Sequence, residues 1–393
     1  MTASTTQSLG IKRIDALHFF VYDLERSREH YLQQLDFCEL AVSGPQFERE
    51  HGARATLLGA GDVRFVFVAP LAQSRFEQTE CERWLSCHPE GVGRIALEVE
   101  DIDHAFALLV ARGATPITRI EQSTDASAVL RWFDIATPFG DTLFRFVQHQ
   151  GQGGVMPGMR ATGNQPSERN RHGVAEIDHV TSNFLTLRPA TLWMEQVLGL
   201  QRYWGIEFHT QDVHNDALAP QEGGSGLKSI VMWDPESGIK FANNEPAAPA
   251  FHASQIYRFC VEHRGAGVQH VALSVRDILG TVQALRATGV TFMPTPSAYY
   301  DMLPNRLVEL GVETIDEQVD DLRSLQILVD GDGPGQYLLQ IFLREAAGLF
   351  DDPGAGPLFI ELIQRKGDRG FGAGNFRALF ESIERHQAGS RAA

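Results

Sequence analysis

The chain has 393 residues and a formal net charge of -16. This length predicts two domains, because a single hydrophobic core seldom grows beyond about 250 residues, and the negative charge argues against nucleic-acid binding. Four cysteines without metal-binding spacing, a polar N-terminus and no membrane-length apolar run predict a cytoplasmic protein that does not enter membranes.

A strand followed by a helix opens the N-terminal half of the chain. Residues 14–24 are strand-like, and a helical stretch follows to about Leu35. In residues 91–114, apolar side chains first alternate and then recur at helical spacing before Gly113. We therefore predict a domain over residues 12–148 with two such units, each completed by further strands.

A run rich in glycine, proline and polar residues separates the halves. Residues 149–174 show no apolar period, which predicts an interdomain linker. The C-terminal domain is predicted over residues 175–393. Turn-forming residues from 209 to 226 predict a long exposed loop, and the tail from residue 375 has one apolar and one charged side, which predicts an amphipathic helix.

The same strand-helix units return in the C-terminal half. Residues 177–184 precede a helical stretch that ends near Leu198. Residues 267–290 repeat the pattern of residues 91–114 almost position by position, including the glycine that stops the helix. The chain is therefore predicted to contain four related strand-helix units, two in each half.

Three potential metal ligands lie inside apolar, strand-like runs of the second half: His179, His270 and Glu361. Two imidazoles and one carboxylate form the facial set that binds non-haem ferrous iron with open coordination positions. Taken singly, each histidine could instead be a hydrogen-bonded core residue, and Glu361 could belong to a buried ion pair. Buried ionisable groups are costly unless paired or ligated, so the three together favour a metal site.

The internal repeat provides a control for this prediction. Aligned with the C-terminal half, the N-terminal half has Ala16 opposite His179 and Arg94 opposite His270. Its closing strand, residues 142–148, carries no carboxylate. We therefore expect the metal only in the C-terminal half.

Other motifs have a simpler interpretation. No glycine-rich phosphate loop follows a strand, and no Gly-x-Ser-x-Gly elbow is present, so nucleotide cofactors and serine-hydrolase chemistry are not indicated. The remaining histidines of polar or turn-like segments are interpreted as surface residues: His51, His88, His104, His149, His172, His209, His214, His252, His263 and His386.

Several motifs, in order along the chain, resemble the 4-hydroxyphenylpyruvate dioxygenase family. They are residues 265–270, 338–342, 359–365 and 370–381, together with the two histidines and the glutamate. The resemblance spans nearly the whole chain and is strongest after residue 263. It implies an α+β architecture, the vicinal oxygen chelate fold, with two open β-barrel domains built from paired βαβββ modules and a C-terminal lid helix.

The resemblance also implies the chemistry. One ferrous ion per chain, in the C-terminal barrel, would leave positions for the 2-oxo carboxylate of the substrate and for dioxygen. The expected products are homogentisate and carbon dioxide, as in tyrosine catabolism. The expected partners are thus an aryl 2-oxo acid and dioxygen, and the family implies a homodimer or homotetramer.

Pocket residues are also implied by this resemblance. Amide and hydroxyl groups that could orient a phenol without charging the cavity are Ser229, Asn244, Gln255, Gln269 and Gln340. The expected substrate-binding residues are Phe359, Phe371, Asn375 and Phe376. The glutamines could also be ordinary strand residues, and the phenylalanines could be ordinary core residues.

The sequence departs from the family at one wall of the expected pocket. Residues 241–246 read Phe-Ala-Asn-Asn-Glu-Pro, so Ala242 stands where the family has proline. Benzylic hydroxylation of the same or a related aryl 2-oxo acid, as in 4-hydroxymandelate synthase, is therefore an alternative, although Phe376 favours attack on the ring. Two further alternative functions are a metal-free protein that binds small aromatic molecules and an extradiol ring-cleaving dioxygenase.

Overall fold

The computed structural model describes residues 7–71, 78–124, 128–151, 156, 158–209, 226–248, 251–372 and 375. The strands of the N-terminal half are β1 (Ile11–Phe20), β2 (Cys38–Ser43), β3 (Ala53–Ala60), β4 (Val63–Pro70), β5 (Gly91–Val99), β6 (Glu121–Thr124), β7 (Ala128–Ile135), β8 (Leu143–Gly151) and β9 (Met159–Ala161). Its helices are α1 (Leu24–Glu29), α2 (Pro45–His51), α3 (Glu80–Cys87) and α4 (Ile102–Ala111).

The C-terminal half repeats this plan. Its strands are β10 (Val174–Asn183), β11 (Gln201–His209), β12 (Gly226–Trp233), β13 (Lys240–Pro246), β14 (Gly267–Val275), β15 (Leu328–Gly331), β16 (Tyr337–Phe342) and β17 (Phe359–Lys366). Its helices are α5 (Arg188–Trp193), α6 (Gln255–Glu262), α7 (Ile278–Ala287), α8 (Ser297–Glu309), α9 (Val319–Leu325) and α10 (Ala346–Leu349). Single π-helical turns, His30–Gln34 and Met194–Leu198, extend α1 and α5.

Both sheets have the same topology, apart from β9, which adds a strand to the first sheet. Among the described residues, the first sheet has the order β6-β7-β8-β5-β1-β4-β3-β2-β9 and the second β11-β12-β13-β10-β14-β17-β16-β15. In each module the first strand pairs in parallel with the last, and the two first strands of a half pair antiparallel in the middle of the sheet. These are paired βαβββ modules in two curled sheets, so the predicted fold class is confirmed.

The repeated helices begin and end as the sequence predicts. Asp101 and Asp277 are the N-caps of α4 and α7, and their side chains accept hydrogen bonds from backbone N–H groups of the first turn. Gly113 and Gly289 follow the ends of these helices with φ of 89° and 87°. This left-handed conformation is costly for residues with a Cβ atom, which explains the glycine at both stops.

The two sheets share one continuous hydrophobic core. Within each central strand, alternate side chains face either the barrel interior or the helices. Phe144 of the first sheet stacks on Phe241 of the second with ring centroids 5.6 Å apart, and Phe139 contacts Phe184 at 5.0 Å. The halves are therefore packed against each other through large buried aromatic rings.

The segment between the halves is partly built into the first sheet. β8 extends to Gly151, and β9, inside the expected linker, pairs with β2. The division into domains 12–148 and 175–393 with a linker at 149–174 stays a prediction. The long loop predicted from 209 to 226 lies outside the described residues except for its ends, which belong to β11 and β12, and so does the predicted tail helix beyond Asn375.

The C-terminal half also carries an insertion that the repeat does not predict. Helices α8 and α9 lie between α7 and β15, where the N-terminal half passes directly from α4 to β6. The insertion packs on β15 through Tyr299, whose hydroxyl donates to the backbone oxygen of Val329. No described helix combines the length and apolar character required to cross a bilayer.

Candidate metal centre

Three adjacent central strands of the second sheet carry the predicted ligands. His179 on β10 is in register with Ala272 on β14, and Ala272 is in register with Glu361 on β17. Residues in register share a face of the sheet, and His270 lies two residues from Ala272 on that same face. The strand pairing therefore directs His179, His270 and Glu361 into the interior of the C-terminal barrel.

The three side chains converge on one point. Glu361 Oε2 lies 3.5 Å from His179 Nε2 and 3.3 Å from His270 Nε2. One ligand atom from each residue lies within 4.8 Å of the others. Atoms bound to a common cation at roughly 2 Å are about 3 Å apart, so a small adjustment would accommodate a metal ion. The structure thus brings together the three residues that the sequence predicts as ligands.

One of the candidate ligand atoms has no hydrogen-bond partner among the described residues, and a cation would fill that position. His270 Nε2 is buried and, although it is close to Glu361, has no partner in hydrogen-bonding geometry among the described residues. An unpaired buried nitrogen is costly. Because the unpaired nitrogen faces the carboxylate and the second imidazole, these residues fit a divalent transition metal such as ferrous iron.

The other nitrogen of each imidazole is fixed by a neighbouring side chain. His179 Nδ1 donates to Asp178 Oδ1 at 2.8 Å, and His270 Nδ1 donates to Gln269 Oε1 at 3.2 Å. Asp178 is held in turn by Arg365, whose Nε and Nη2 donate to its two oxygens at 2.6 and 2.7 Å. These contacts leave both Nε2 atoms directed at Glu361, which is the arrangement usual for metal-bound histidines.

Electrostatics favour a charged carboxylate at this place. Burial alone would raise the pKa of Glu361, but His179 and His270 offset it and lower the pKa to about 2. Burial lowers the pKa of His270, whereas Glu361 and Asp178 outweigh burial and raise the pKa of His179. A cation would replace the proton on His179 and find an ionised carboxylate beside it.

Polar side chains surround the three residues. Gln340 Nε2 donates to Glu361 Oε1 at 2.8 Å, and Asn375 Nδ2 donates to Gln340 Oε1 at 2.9 Å. Ser229 and Asn244 are buried and in register on β12 and β13, and neither Ser229 Oγ nor Asn244 Oδ1 has a hydrogen-bond partner among the described residues. Such unsatisfied oxygens are suited to receive a polar ligand.

Gln255 lies on α6, and two of the predicted aromatic residues lie beside the imidazoles. Gln255 is the buried first residue of α6. The ring of Phe371 lies 5.0 Å from that of His179, and the ring of Phe359 stacks on His270 at 4.9 Å. Both phenylalanines are buried against the predicted ligands, while Phe376 lies outside the described residues.

Some residues of this centre were not predicted from the sequence. Asp178 and Arg365 support His179, and Asn183 accepts a hydrogen bond from Asn244 at 3.0 Å. Asp178 directly precedes His179, so an acidic residue beside a candidate ligand was an available signal. Arg365 lies on β17, and Asn183, at the end of β10, meets Asn244 of β13, so both contacts depend on strand pairing.

The surface interpretation of the other histidines is wrong in three cases. His88, His172 and His263 are buried. His88 bonds to the backbone oxygen of His263 at 2.8 Å and to Asp141 at 2.7 Å, and His172 bonds to the backbone oxygen of Gln34. Their sequence neighbours are polar, but the packing of the two halves encloses them. The exposed histidines His51, His104 and His252 confirm the interpretation.

Among the described residues, the N-terminal barrel has no equivalent ligand set. Ala16 and Arg94 occupy the positions of His179 and His270, and Arg145, in register with Ala96, occupies that of Glu361. Arg145 donates to both oxygens of the buried Asp134, each at 2.7 Å. An internal ion pair therefore stands where the C-terminal barrel has its three ligands.

Comparison with known proteins agrees with this architecture. Residues 176–302 match the family described as the Glyoxalase/Bleomycin resistance protein/Dioxygenase superfamily. A solved structure of a triple-substituted 4-hydroxymandelate synthase from Streptomyces coelicolor superimposes with a TM-score of 0.75 at 28% identity, covering 96% of this chain and 99% of that one. The fold and the site thus define a vicinal oxygen chelate protein.

Sequence relatives define the family more narrowly. A 4-hydroxyphenylpyruvate dioxygenase from Caenorhabditis briggsae is 36% identical over 95% of this chain and 91% of its own length. One from Coccidioides posadasii is 33% identical over 95% of this chain and 92% of its own. The chain belongs to the 4-hydroxyphenylpyruvate dioxygenase family and is an oxidoreductase.

Proposed function

We propose that the protein is a ferrous-iron dioxygenase that converts 4-hydroxyphenylpyruvate and dioxygen into homogentisate and carbon dioxide. One observation carries the proposal: a buried His179, His270 and Glu361 cluster lies in a chain that is similar along almost its whole length to 4-hydroxyphenylpyruvate dioxygenases. One ferrous ion per chain would be held by these three residues. A bound ferrous ion supplies open positions for the 2-oxo acid and for dioxygen.

The protein's own residues would bind and orient the substrate. Ser229 and Asn244, with their unsatisfied oxygens, are placed to hydrogen-bond a polar group of the ligand. Gln255, Gln269 and Gln340 contribute neutral amides, which can orient a phenol or a carboxylate without adding charge. We assign these five residues as substrate-orienting groups of the reaction.

Aromatic side chains would exclude water from the reacting atoms. Phe359 and Phe371 already cover the two imidazoles, and we assign both to the wall against which the substrate ring lies. Asn375 ties the start of the C-terminal segment to Gln340. Phe376 follows it, and from the family resemblance we assign Phe376 to the same wall, with the tail helix as a lid.

Benzylic hydroxylation to 4-hydroxymandelate is the second candidate. It is favoured by the similarity to the 4-hydroxymandelate synthase structure and by Ala242, which is fully buried against Phe371, Leu227 and Ile256 where the family has proline. A metal-free aromatic-binding protein is a third possibility, of another class, and iron analysis distinguishes it. Cytoplasmic location and assembly as a dimer or tetramer stay predictions from the sequence.

The decisive assay is anaerobic reconstitution with ferrous iron, addition of 4-hydroxyphenylpyruvate and air, and product identification by mass spectrometry. We expect homogentisate and one equivalent each of oxygen consumed and carbon dioxide released. 4-Hydroxymandelate as the main product would favour the second candidate. Absence of turnover at full iron occupancy, with catechol cleaved instead, would point to an extradiol enzyme.

The ligand assignment is tested by Glu361→Ala. Because the carboxylate is one of three ligands, we expect loss of bound iron and a fall in turnover of at least about 1000-fold, while the protein stays folded by circular dichroism. Glu176→Ala is the matched control, since Glu176 is an exposed acid on the same strand as His179. Turnover retained by Glu361→Ala at full iron occupancy would refute the assignment.

A further inference from the structure

A cavity of about 440 Å³ lies inside the N-terminal barrel, remote from the three candidate ligands. It opens on the interior face of the first sheet, and residues from β1, β3, β4, β5, β7 and β8 line it. Ala16 and Arg145, the counterparts of His179 and Glu361, are among these residues. The cavity therefore occupies in the first barrel the place that the candidate metal centre occupies in the second.

One cation of this cavity makes no direct ion pair with a described residue. Arg64 on β4 is half-buried, and its Nη1 donates to the backbone oxygens of Gly61 and Val63 at 2.8 and 2.9 Å. Among the described residues, no carboxylate lies within 4.0 Å of its guanidinium. Nε and Nη2 make no hydrogen bond to those residues, so they are available to an anion.

The other cations of the cavity are already matched. Arg13 pairs with Asp15 at 3.1 Å and with Glu98 at 2.7 Å, and Arg145 is bound by both oxygens of Asp134. Burial, and secondarily the charge of Arg13, lower the pKa of Arg64, and the nearby charges of Asp62 and Asp15 oppose them only in part. Arg64 is thus a cation without a direct ion pair among the described residues, in a chain whose net charge is -16.

One part of the cavity wall is apolar and contains an aromatic ring, whereas Asp15, Glu98, His18 and His149 line other parts. Leu57, Val66, Trp132 and Val147 line it together with Arg64. The guanidinium of Arg145 lies 5.9 Å from the centroid of the Trp132 ring. An apolar wall segment beside a cation with free donor groups, in a volume of several hundred Å³, is a common composition of a small-molecule site.

We propose that the N-terminal barrel binds a small organic monocarboxylate, whose carboxylate pairs with Arg64 and whose ring-sized apolar body contacts Trp132 and Leu57. A planar guanidinium with two free donor positions matches a carboxylate in two-point geometry. Neither the candidate ligands nor the assigned substrate-orienting residues contribute to this site. It is therefore a second binding site, independent of the proposed reaction.

Calorimetric titration of the full chain with phenylacetate tests the proposal, because this probe has a carboxylate and a ring but no 2-oxo group to chelate a metal. We expect saturable binding to the wild-type protein and at least ten-fold weaker binding to Arg64→Gln. The matched control, Arg54→Gln, removes an exposed arginine from β3 and should bind phenylacetate like the wild type.

A second variant keeps the test valid if Arg64→Gln does not fold. Leu57→Trp leaves the cation in place but fills the cavity, and it should also abolish the binding that depends on Arg64. Equal binding by wild type, Arg64→Gln and Leu57→Trp would place the probe elsewhere and overturn the proposal. Absence of saturable phenylacetate binding to the wild type would overturn it as well.

Discussion

His179 is held at both of its ring nitrogens. Asp178 accepts from Nδ1, while Nε2 faces Glu361, and Arg365 neutralises Asp178 through two short hydrogen bonds. Arg365 also lowers the pKa of Asp178, although burial alone would raise it. The orientation of this ligand therefore depends on a residue that does not itself face the metal position.

Asp178→Asn tests that dependence. The substitution removes the negative charge from beside His179, so we expect metal affinity to fall by about 10- to 100-fold, measured by competition with a chelator. It also breaks a buried ion pair, so unfolding should become easier by about 3 kcal/mol or more.

Asp134→Asn separates these two effects. Asp134 makes the corresponding buried two-point pair with Arg145 in the N-terminal barrel, far from the ligands. This control should lose stability but keep its metal affinity. Equal metal affinity in Asp178→Asn and Asp134→Asn would show that Asp178 has no positioning role.

Phe376→Ile tests the choice between ring and benzylic attack. A smaller, aliphatic side chain would let the substrate ring shift, so we expect a larger proportion of 4-hydroxymandelate relative to homogentisate. The ratio is measured by mass spectrometry of the products at equal iron occupancy. An unchanged ratio would remove Phe376 from the wall that determines regiochemistry.

At the scale of elements, the junction of α3 and α6 encloses ionisable side chains. His263, at the end of α6, stacks on His88 and Phe259, with ring centroids at 4.7 and 5.1 Å. Burial first, and His88 second, lower the pKa of His263 from 6.5 to about 4, and Asp141 and the Gly265 carbonyl only partly oppose them. The folded protein therefore resists protonation at this place.

This junction predicts a loss of stability in mild acid. Because the unfolded chain binds a proton near pH 6.5 and folded His263 only near pH 4, unfolding free energy should fall across that interval. The loss approaches roughly 3 kcal/mol. In denaturant unfolding between pH 7 and 4, the unfolding free energy of His263→Gln should decline less steeply than that of the wild type. His104→Gln, which changes an exposed histidine, should decline like the wild type. An identical slope in His263→Gln would contradict the assignment.

The sequence predicts the repeated elements because their signals are local. Apolar alternation, an aspartate cap and a terminal glycine recur in residues 91–114 and 267–290, and the structure confirms both strand-helix units. Pairing of β9 with β2, the insertion of α8 and α9, and the burial of His88 depend on contacts between distant segments. No local pattern carries that information.

The candidate ligands were predictable for a related reason. His179, His270 and Glu361 each interrupt an apolar run, so their burial cost was visible in the sequence. Their convergence also follows from the repeat, since equivalent strands form the centre of each sheet. The free donor groups of Arg64 were not predictable, because only the folded barrel shows that no carboxylate of the described residues pairs with it directly.

For the whole molecule, one topology supports two different interiors. Both halves bury the outer faces of their sheets in a shared core, which leaves the barrel interiors free to diverge. The first interior holds the Arg145–Asp134 pair and a cavity, and the second holds two imidazoles and a carboxylate. Duplication of a fold thus does not require duplication of the site.

Anomalous X-ray diffraction at the iron absorption edge, from crystals of iron-loaded protein, would locate the metal relative to His179, His270 and Glu361. We expect one strong peak per chain, about 2 Å from His179 Nε2, His270 Nε2 and a Glu361 oxygen, and none in the N-terminal barrel. A peak bound by other residues, or full iron occupancy without contact to these three side chains, would contradict the ligand assignment.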